Sequence, residues 1–362
     1  MVWDKDAART ARFWDYDFLS RQDAPAHRGR DCGRVDRRDF GLSQVDFPSF
    51  VNPGYRALHE NAAALDLASR GKIRVTGGDR ARLLHAMSTN DVQNLHPGQG
   101  CYMFFLNAQG RILADANLFC FEDHLLLDVE PETRTKLYEH LDRYIIADDV
   151  TIEDQTEQLA TVAVEGADAG RILSGLGAQL PEKDHAWLSW GTRTVARVDS
   201  TGAGGFFAFL PASEKAGFLG ELASAGVPEA SMEDTRTVRI EHGRPRYGEE
   251  ITERYLLQET GQMQAVSFHK GCYLGQEIVE RVRSRAQIHR VLKRLEIDSS
   301  EAPAAGTKLH IGDADAAEVA SATFSPLIGK VVALAYVRTQ HADPGTEMML
   351  DNAQARVMPA AA

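Results

Sequence analysis

The alternation of apolar and polar positions predicts ordered secondary structure after roughly the first fifty residues. Residues 72–75 alternate with the period of a strand, and a helix is predicted to begin at Asp79. Residues 101–106 and 111–119 predict the two strands of a hairpin, because the loop between them ends in Gly110. Since strands and helices alternate irregularly along the chain, the pattern favours an α+β fold over a doubly wound parallel sheet.

A well-marked helix is predicted between Ser231 and His242. Ser231 is a favourable N-cap with an acidic residue three positions later, and Gly243 suits a left-handed residue after the C-terminus. Further along, the pattern changes to short strands separated by glycines. They are predicted at residues 291–297, 308–311, 318–321, 331–337 and 353–357. Evenly spaced short strands without helices predict a small all-β barrel or sandwich.

The chain divides by composition into three predicted regions. Residues 1–50 mix arginine and aspartate densely without a sustained apolar period, which predicts a largely irregular N-terminal extension. Residues 51–286 form the α+β region, and residues 287–362 form the C-terminal β-barrel. A length of 362 residues agrees with more than one domain, because single cores rarely grow that large.

Composition and charge exclude several classes of protein. The net charge of −12 makes nucleic acid an improbable main partner, and no apolar run approaches the length of a membrane span. The first residues lack the apolar segment of a secretory signal. The cysteines, at positions 32, 101, 120 and 272, include no C-x-x-C pair, which speaks against a disulfide framework and against a self-contained zinc or iron–sulfur site. We therefore predict a cytoplasmic protein with no metal site of its own.

The richest chemistry lies in residues 270–277, which read KGCYLGQE. Glycines at 271 and 275 tolerate positive φ, and the neighbouring cations His269, Lys270, Arg281, Arg283, Arg285 and Arg290 would favour the thiolate of Cys272. A reactive sulfur is one interpretation, and a buried small residue in a turn is the other. Metal ligation by His269 and Cys272 together is a third, weaker one.

The segment 280–285 alternates with period two. In a strand, this alternation places Arg281, Arg283 and Arg285 on one face, where they could bind a polyanion such as a chain of glutamate carboxylates. A solvated strand face explains the same pattern equally well, so both interpretations stay open.

Several segments resemble a known family. Residues 71–77 (GKIRVTG), 88–92 (STNDV) and 110–115 (GRILAD) resemble the folate-binding core of glycine-cleavage T-proteins, which are aminomethyltransferases. Residues 239–248 (RIEHGRPRYG) resemble the folate-contacting segment of that family. This resemblance implies a three-lobed fold around a central cavity, with tetrahydrofolate or a related reduced folate as ligand.

The central motif resembles a sister group. Residues 270–277 are similar to the signature of YgfZ-type folate-binding proteins, which support iron–sulfur enzymes, and residues 324–338 resemble the shared C-terminal barrel. The resemblance extends over about residues 55–357. It implies that Cys272 is required for function and that the partners are iron–sulfur client enzymes or assembly factors.

Matching the motifs residue by residue assigns candidate roles. Asp115 corresponds to the acid that faces the N10 region of folate, and Glu241 to a carboxylate that holds the pterin; a carboxylate suits the N–H donors of that ring. The resemblance implies catalytic roles for Cys272, Lys270 and Asp115, and folate contacts for Asp115, Glu241, Asn90, Arg239, Gln276 and Glu277.

One departure from the family pattern bears on function. The aminomethyltransferases carry two adjacent acids where this chain has Ala114 and Asp115. The leading hypothesis is therefore a folate-dependent factor that assists assembly or repair of iron–sulfur clusters. The alternative is an aminomethyltransferase or an N-methyl demethylating enzyme that uses Asp115. A cysteine hydrolase is a third hypothesis, with His242, His269 or His289 as its base.

Overall fold

The computed structural model describes residues 51–285 and 288–360. The predicted extension at residues 1–50 and the predicted boundary between residues 286 and 287 lie outside the described residues. None of the helices in the described part is long and apolar enough to cross a membrane.

The α+β region contains helices and antiparallel strands in mixed order. The helices are α1 (Pro53–Glu60), α2 (Arg80–Met87), α3 (Arg134–Asp142), α4 (Ala169–Gly175), α5 (Lys215–Ser224), α6 (Met232–Glu241) and α7 (Gln276–Arg285). The strands are β1 (Ala63–Asp66), β2 (Gly71–Thr76), β3 (Gly100–Leu106), β4 (Ile112–Cys120), β5 (Leu125–Val129), β6 (Thr151–Asp154), β7 (Leu159–Glu165), β8 (Trp187–Trp190), β9 (Arg193–Ala196) and β10 (Gly205–Pro211).

These strands form two five-stranded sheets. The first has the order β3-β4-β5-β2-β6 and the second the order β1-β7-β10-β9-β8. In the first sheet, Ile73, Leu84 and Leu127 are buried in one core cluster; in the second, Val162 and Leu222 are buried in another. Each sheet and its helices therefore form a core, and a third cluster lies between the sheets, where Phe119 and Leu126 of the first meet Ala163 and Phe207 of the second.

The predicted hairpin and the predicted capped helix are both confirmed. Strands β3 and β4 pair in antiparallel register, with Phe104 opposite Asp115. Helix α6 begins after Ser231, whose side chain accepts from the backbone of Asp234, and the Asp234 carboxylate accepts from Ser231 in return. This reciprocal capping fixes the start of the helix. Gly243 follows α6 with φ of 71°, the left-handed conformation that the sequence predicts.

The C-terminal strands close into a barrel, as predicted. They are β11 (Arg290–Ile297), β12 (Lys308–Ile311), β13 (Ala314–Ser325), β14 (Lys330–Arg338), β15 (Glu347–Leu350) and β16 (Ala353–Val357), in the order β11-β14-β13-β12-β15-β16. Leu295, Val319, Ala333 and Val357 fill its interior. Closure pairs the first strand with the last, because β11 also pairs with β16.

Several contacts fix the barrel to the α+β region, among them the packing of Ile240 in α6 against Val332 and Leu334 of β14. Arg254 forms a bidentate ion pair with Glu318 of β13. The rings of Tyr255 and Tyr336 stack with centroids 3.7 Å apart, and the Arg290 guanidinium lies 4.8 Å and 5.5 Å from the two centroids. The barrel therefore contributes aromatic and ionic contacts directly to the α+β region.

The prediction of a strand at residues 280–285 is wrong, because this segment belongs to α7. The charges that alternate with period two also have helical spacing. Arg281 pairs with Glu277 four residues earlier, and Arg283 pairs with Glu280 three residues earlier. Val279, on the inner side of the same helix, is buried. Residues two apart in a helix, such as Arg281 and Arg283, point to different sides, so the arginine face of a strand does not form.

Candidate functional site

The site is built on one face of the β3–β4 hairpin. Phe104 and Asp115 are opposite each other, and Tyr102 is opposite Asn117, so these four side chains share one face of the first sheet. Asp115 is 7% exposed, and its Oδ2 accepts a hydrogen bond from the Tyr102 hydroxyl at 2.7 Å. Tyr102 and Asp115 are diagonal neighbours across the hairpin, within reach of an aromatic side chain.

The surroundings of Asp115 make its ionised form unfavourable. Burial, and secondly the neighbouring Glu130 carboxylate, raise the pKa of Asp115 to about 6, while the Tyr102 hydrogen bond and Arg70 oppose this shift. A carboxyl group with this pKa can hold or release a proton close to neutral pH. This property is what an acid–base group in a binding site requires.

A chain of buried polar groups continues from this face to the second half of the α+β region. The Arg70 Nε donates to Asp128 at 2.8 Å, and the Asn117 amide donates to the same carboxylate oxygen at 3.2 Å. The Nε2 of His185 lies 3.1 Å from the amide oxygen of Asn117. Because that oxygen can only accept, Nε2 of His185 carries the proton. Burial lowers the pKa of His185 to about 4, so its ring is neutral.

An arginine from the second half faces the same region. The Nη2 of Arg244 donates to both carboxylate oxygens of Asp199, at 3.1 and 3.2 Å. Asp199 raises the pKa of Arg244, and Glu165 and Tyr102 are close enough to contribute. The Arg244 side chain is 41% exposed, so its guanidinium can bind an anionic group while keeping its contact with Asp199.

Glu241 does not join this group. It is fully buried at the end of α6, where its Oε1 accepts from the Tyr55 hydroxyl at 2.5 Å and its Oε2 lies 2.8 Å from Nε2 of His59. Burial and the nearby Glu241 raise the pKa of Tyr55, which keeps its hydroxyl protonated as a donor. Both carboxylate oxygens are therefore engaged by side chains of α1.

Arg239 is also engaged within the protein. It is 4% exposed and forms ion pairs with Glu249 and Glu250 at 2.7 and 2.9 Å. Both acids belong to the loop that follows α6, so Arg239 fixes this loop to the helix. A guanidinium paired in this way has no free face for a folate carboxylate.

The other predicted folate contacts lie on the segments that support the hairpin. The Asn90 amide donates to the backbone oxygens of Tyr102 and Gln264, at 2.8 and 3.1 Å. Gln276 is the first residue of α7, where its side chain accepts from the backbone of Tyr273. Glu277 is exposed and engaged with Arg281. The structure thus places Asn90 directly beside the Tyr102 backbone, and places Gln276 and Glu277 on α7.

Cys272 is exposed together with His269 and Gly271, and the loop becomes buried at Tyr273. Tyr273 is buried in the cluster that contains Phe104 of the hairpin. Gly275 has φ of 84°, and a Cβ there would lie 2.7 Å from the Asn107 backbone oxygen, so a side chain does not fit. The loop therefore packs against the hairpin while its thiol is exposed to solvent.

The cations that surround Cys272 in the sequence are largely paired with acids. Arg281 and Arg283 contact Glu277 and Glu280, and Arg290 contacts Glu259 at 2.8 Å. The ammonium group of Lys270 donates to backbone carbonyls of residues 85, 88 and 90. The positive charge that the sequence predicts near the sulfur is therefore mostly neutralised. Within the described residues there is no group of three or more His, Cys, Asp or Glu side chains that could hold a metal ion.

Comparison with known families matches nearly the whole chain. Residues 40–270 match the GCVT N-terminal domain, and residues 290–362 match the glycine cleavage T-protein C-terminal barrel domain. An aminomethyltransferase of Rubrobacter xylanophilus is 30% identical over 343 residues, which cover 90% of this chain and 91% of that protein. The chain belongs to the glycine cleavage T-protein family.

A further relative and a solved structure are also similar to this chain. A putative chloroplastic transferase of Arabidopsis thaliana is 27% identical over 339 residues, covering 91% of this chain and 76% of that protein. The crystal structure of aminomethyltransferase T of the glycine cleavage system from Bartonella henselae superposes with a TM-score of 0.78 at 19% identity, covering 88% of this chain and 94% of that one. The predicted aminomethyltransferase-like fold is confirmed. The predicted cofactor agrees with the family, whose aminomethyltransferases use tetrahydrofolate.

Sequence reasoning missed Arg70, His185 and Arg244. Arg70 precedes β2, His185 precedes β8 and Arg244 follows α6, so no local motif connects them. His185 has a signal of its own only in the structure, where its φ of 59° is unusual for a residue with a side chain. Arg244 lies inside the segment that resembles a folate-contacting motif, and this is the one signal that could have identified it.

Proposed function

We propose that this protein binds tetrahydrofolate, or a related reduced folate, beside Asp115 and uses Cys272 to assist iron–sulfur client enzymes, as YgfZ-type proteins do. The observation that carries the Cys272 part is an exposed thiol whose next residue, Tyr273, is buried against the hairpin of Asp115. An exposed sulfur can reach a partner protein, whereas a sealed one cannot. The expected partners are the client enzymes or their assembly factors, in the cytosol.

The residues around Asp115 fit a reduced folate. A reduced folate presents an N–H donor at N10, and Asp115 offers a buried carboxylate that the Tyr102 hydroxyl holds by a hydrogen bond. Arg244 offers a half-exposed guanidinium to the carboxylates of the folate tail. When bound, tetrahydrofolate carries one-carbon units on its N5 and N10 nitrogens. Asp115 would exchange a proton at its carboxylate, and Tyr102 would hold that carboxylate in place.

Titration with tetrahydrofolate tests the binding site. The unmodified protein should bind, and Asp115→Asn should bind roughly 10- to 100-fold more weakly, because a hydrogen bond to a charged group contributes about 1.5–3 kcal/mol. Thr89→Ser, a conservative change on the segment beside the hairpin, serves as a matched control. Absence of binding by the unmodified protein would refute the folate part of the proposal.

Client activity tests the role of Cys272. In cells that lack the protein, an unmodified copy should restore the activity of iron–sulfur enzymes, and a Cys272→Ser copy should not. Cys101→Ser provides the matched control, because Cys101 is also a free thiol and lies on β3, in the hairpin that carries Asp115. Full restoration by Cys272→Ser, at equal protein levels, would contradict the proposed role.

The second candidate is a true aminomethyltransferase. The names of the Rubrobacter xylanophilus and other relatives favour it, and Asp115 supplies an acid–base group. An assay with an aminomethyl-lipoyl donor, in which 5,10-methylene-tetrahydrofolate is measured, separates the two candidates. Turnover that requires Asp115 but survives Cys272→Ser would establish the second candidate in place of the first.

A further inference from the structure

Lys270 places its ammonium group against three backbone carbonyls. The Nζ donates to the oxygens of His85, Ser88 and Asn90, at 2.5, 2.7 and 2.8 Å. An ammonium group has three hydrogens and no lone pair, so all its hydrogen-bonding capacity is used. The predicted catalytic role of Lys270 therefore does not fit this geometry, in which the side chain acts as an anchor.

The anchored carbonyls belong to the last turn of α2 (His85) and to the segment that follows it (Ser88 and Asn90), and this segment is attached to β3. Thr89 and Phe104 exchange two hydrogen bonds: the Thr89 N–H donates to the Phe104 oxygen at 3.0 Å, and the Phe104 N–H donates to the Thr89 hydroxyl at 2.9 Å. The Asn90 amide donates to the backbone oxygen of Tyr102 at 2.8 Å. A displacement of β3 would therefore displace the three carbonyls as well.

The loop of Cys272 is fixed to the same segment at two further points. The Ser267 N–H donates to the Thr89 oxygen, and the Leu274 N–H donates to the Ala86 oxygen, each at 3.0 Å. These two bonds flank Cys272 on both sides, and the Lys270 ammonium lies between them in sequence. The exposed thiol therefore lies on a short arch whose three hydrogen-bonded supports rest on residues 85–90.

From these contacts we propose that Lys270 is a positioning residue that couples Cys272 to the carboxylate of Asp115. The connection runs from the thiol loop through Lys270 to Asn90, from the Asn90 amide to the Tyr102 backbone, and from the Tyr102 hydroxyl to Asp115. A ligand that donates to the Asp115 carboxylate draws on its negative charge, which weakens the Tyr102 hydrogen bond to the same group and lets Tyr102 shift. The shift reaches the arch through Asn90 and Lys270, so the occupancy of the folate site and the chemical state of Cys272 affect each other.

This inference rests on the proposed folate binding and makes a separate, reciprocal prediction. If modification of Cys272 changes the affinity for tetrahydrofolate, the ligand must change the equilibrium of the modification by the same factor. A lysine that merely stabilised the fold would alter the unfolding temperature without producing such a factor. The coupling factor is therefore the readout that separates a positioning role from a structural one.

The experiment measures the dissociation constant of tetrahydrofolate with Cys272 free and with Cys272 in a mixed disulfide with glutathione. In the unmodified protein we expect the two constants to differ at least about fivefold, the lower end of typical couplings between sites. In Lys270→Met and in Asn90→Ala the ratio should fall below about twofold. Cys272→Ser, treated in the same way, accounts for any effect of glutathione on the other thiols.

A second lysine of the chain offers a matched control. Lys72 is fully buried and donates to the carbonyls of Leu67, Ala68 and Arg70, at 3.4, 3.0 and 2.7 Å, but it does not contact residues 86–90. Lys72→Met removes an anchor of the same kind, so it should destabilise the protein comparably and retain the coupling ratio. If Lys270→Met does not fold, Lys270→Gln and Asn90→Ala decide the question.

The outcomes separate the two levels of inference. If the unmodified protein does not bind tetrahydrofolate, the proposed function fails. If it binds with one affinity whether or not Cys272 is modified, the folate site stands and the coupling is refuted. If the coupling persists in Lys270→Met and Asn90→Ala, the thiol and the carboxylate communicate by another route, and the role assigned to Lys270 is overturned.

Discussion

Asp115 and Glu241 are two buried carboxylates that the sequence assigns to the same ligand, and their surroundings differ. Asp115 lies on a sheet face, with the Tyr102 hydroxyl as its side-chain donor and a pKa raised to about 6. Glu241 is fully buried, with one oxygen engaged by Tyr55 and the other by His59. A fully buried carboxylate with both oxygens bonded to side chains is suited to stabilising the fold, whereas one with a single bonded oxygen is better suited to binding a ligand.

Replacing Asp115 is the strongest test of this difference. At pH 7.5, Asp115→Asn should lower the affinity for tetrahydrofolate roughly 10- to 100-fold. The free energy of unfolding should stay the same or rise, because the folded state disfavours the ionised carboxylate. Calorimetric titration and urea unfolding measure the two quantities on the same sample. A large loss of stability with unchanged binding would show that Asp115 stabilises the fold and does not bind the ligand.

Replacing Glu241 should have the opposite effects, a loss of stability with little change in affinity. Glu241→Gln should lower the free energy of unfolding by about 1–3 kcal/mol, because the buried partners of the carboxylate lose their best acceptor. The affinity for tetrahydrofolate should change less than about threefold, below 1 kcal/mol. Urea unfolding and titration are again the measurements. If Glu241→Gln abolished binding in a stable protein, Glu241 would be a ligand contact as the sequence resemblance implies.

The pH dependence of binding sharpens the comparison further. The folded pKa of Asp115 is about 6, above the ordinary value of 3.8, so the carboxylate becomes protonated as the pH falls through 6. A protonated carboxyl group accepts fewer N–H bonds, so the affinity for tetrahydrofolate should fall up to about tenfold per pH unit below this value. Titrations between pH 7.5 and 5.5 measure this slope. The Asp115→Asn variant should show no such slope; an equal slope in both proteins would exclude Asp115 as its source.

The smallest expected effect is a change in unfolding temperature when a third carboxylate, Glu318, is replaced. The hydrogen bond from Arg254, followed by that from Lys308, lowers the pKa of Glu318 to about 2. A lowered pKa contributes stability above the ordinary value of 4.5, and this stability is lost as the pH falls from 4.5 towards 2. Glu318→Gln should therefore lower the unfolding temperature by a few degrees at pH 7, since loss of about 1 kcal/mol has this effect in a chain of this size. The difference between the two proteins should shrink below pH 4.5; a difference that is constant with pH would contradict the ionic origin.

The elements that the sequence predicts well are those with local signals. The cap at Ser231, the hairpin that ends at Gly110 and the glycine-separated strands of the barrel each depend on residues close together in the chain. The prediction for residues 280–285 failed because alternating charges also satisfy the spacing of a helix, and the buried Val279 decides between the two. Local patterns alone could not show which side of the segment is covered.

The candidate site could be predicted only where a motif carried it. Asp115 and Cys272 each lie in a recognisable segment, and the family membership supports the cofactor. The difference between Asp115 and Glu241 was not predictable, because the partners of Glu241 come from α1, more than 180 residues earlier in the chain. Long-range partners of this kind decide which acids are available to a ligand.

The stacked rings of Tyr255 and Tyr336, with Arg290 across both, have a consequence for how the protein melts. This contact and the ion pair of Arg254 and Glu318 join the barrel core to the core of the α+β region, together with the apolar packing of Ile240 against β14. Neither core can open without separating these groups, so calorimetry should record a single heat-absorption peak for the barrel and the α+β region, where two independent modules would give two.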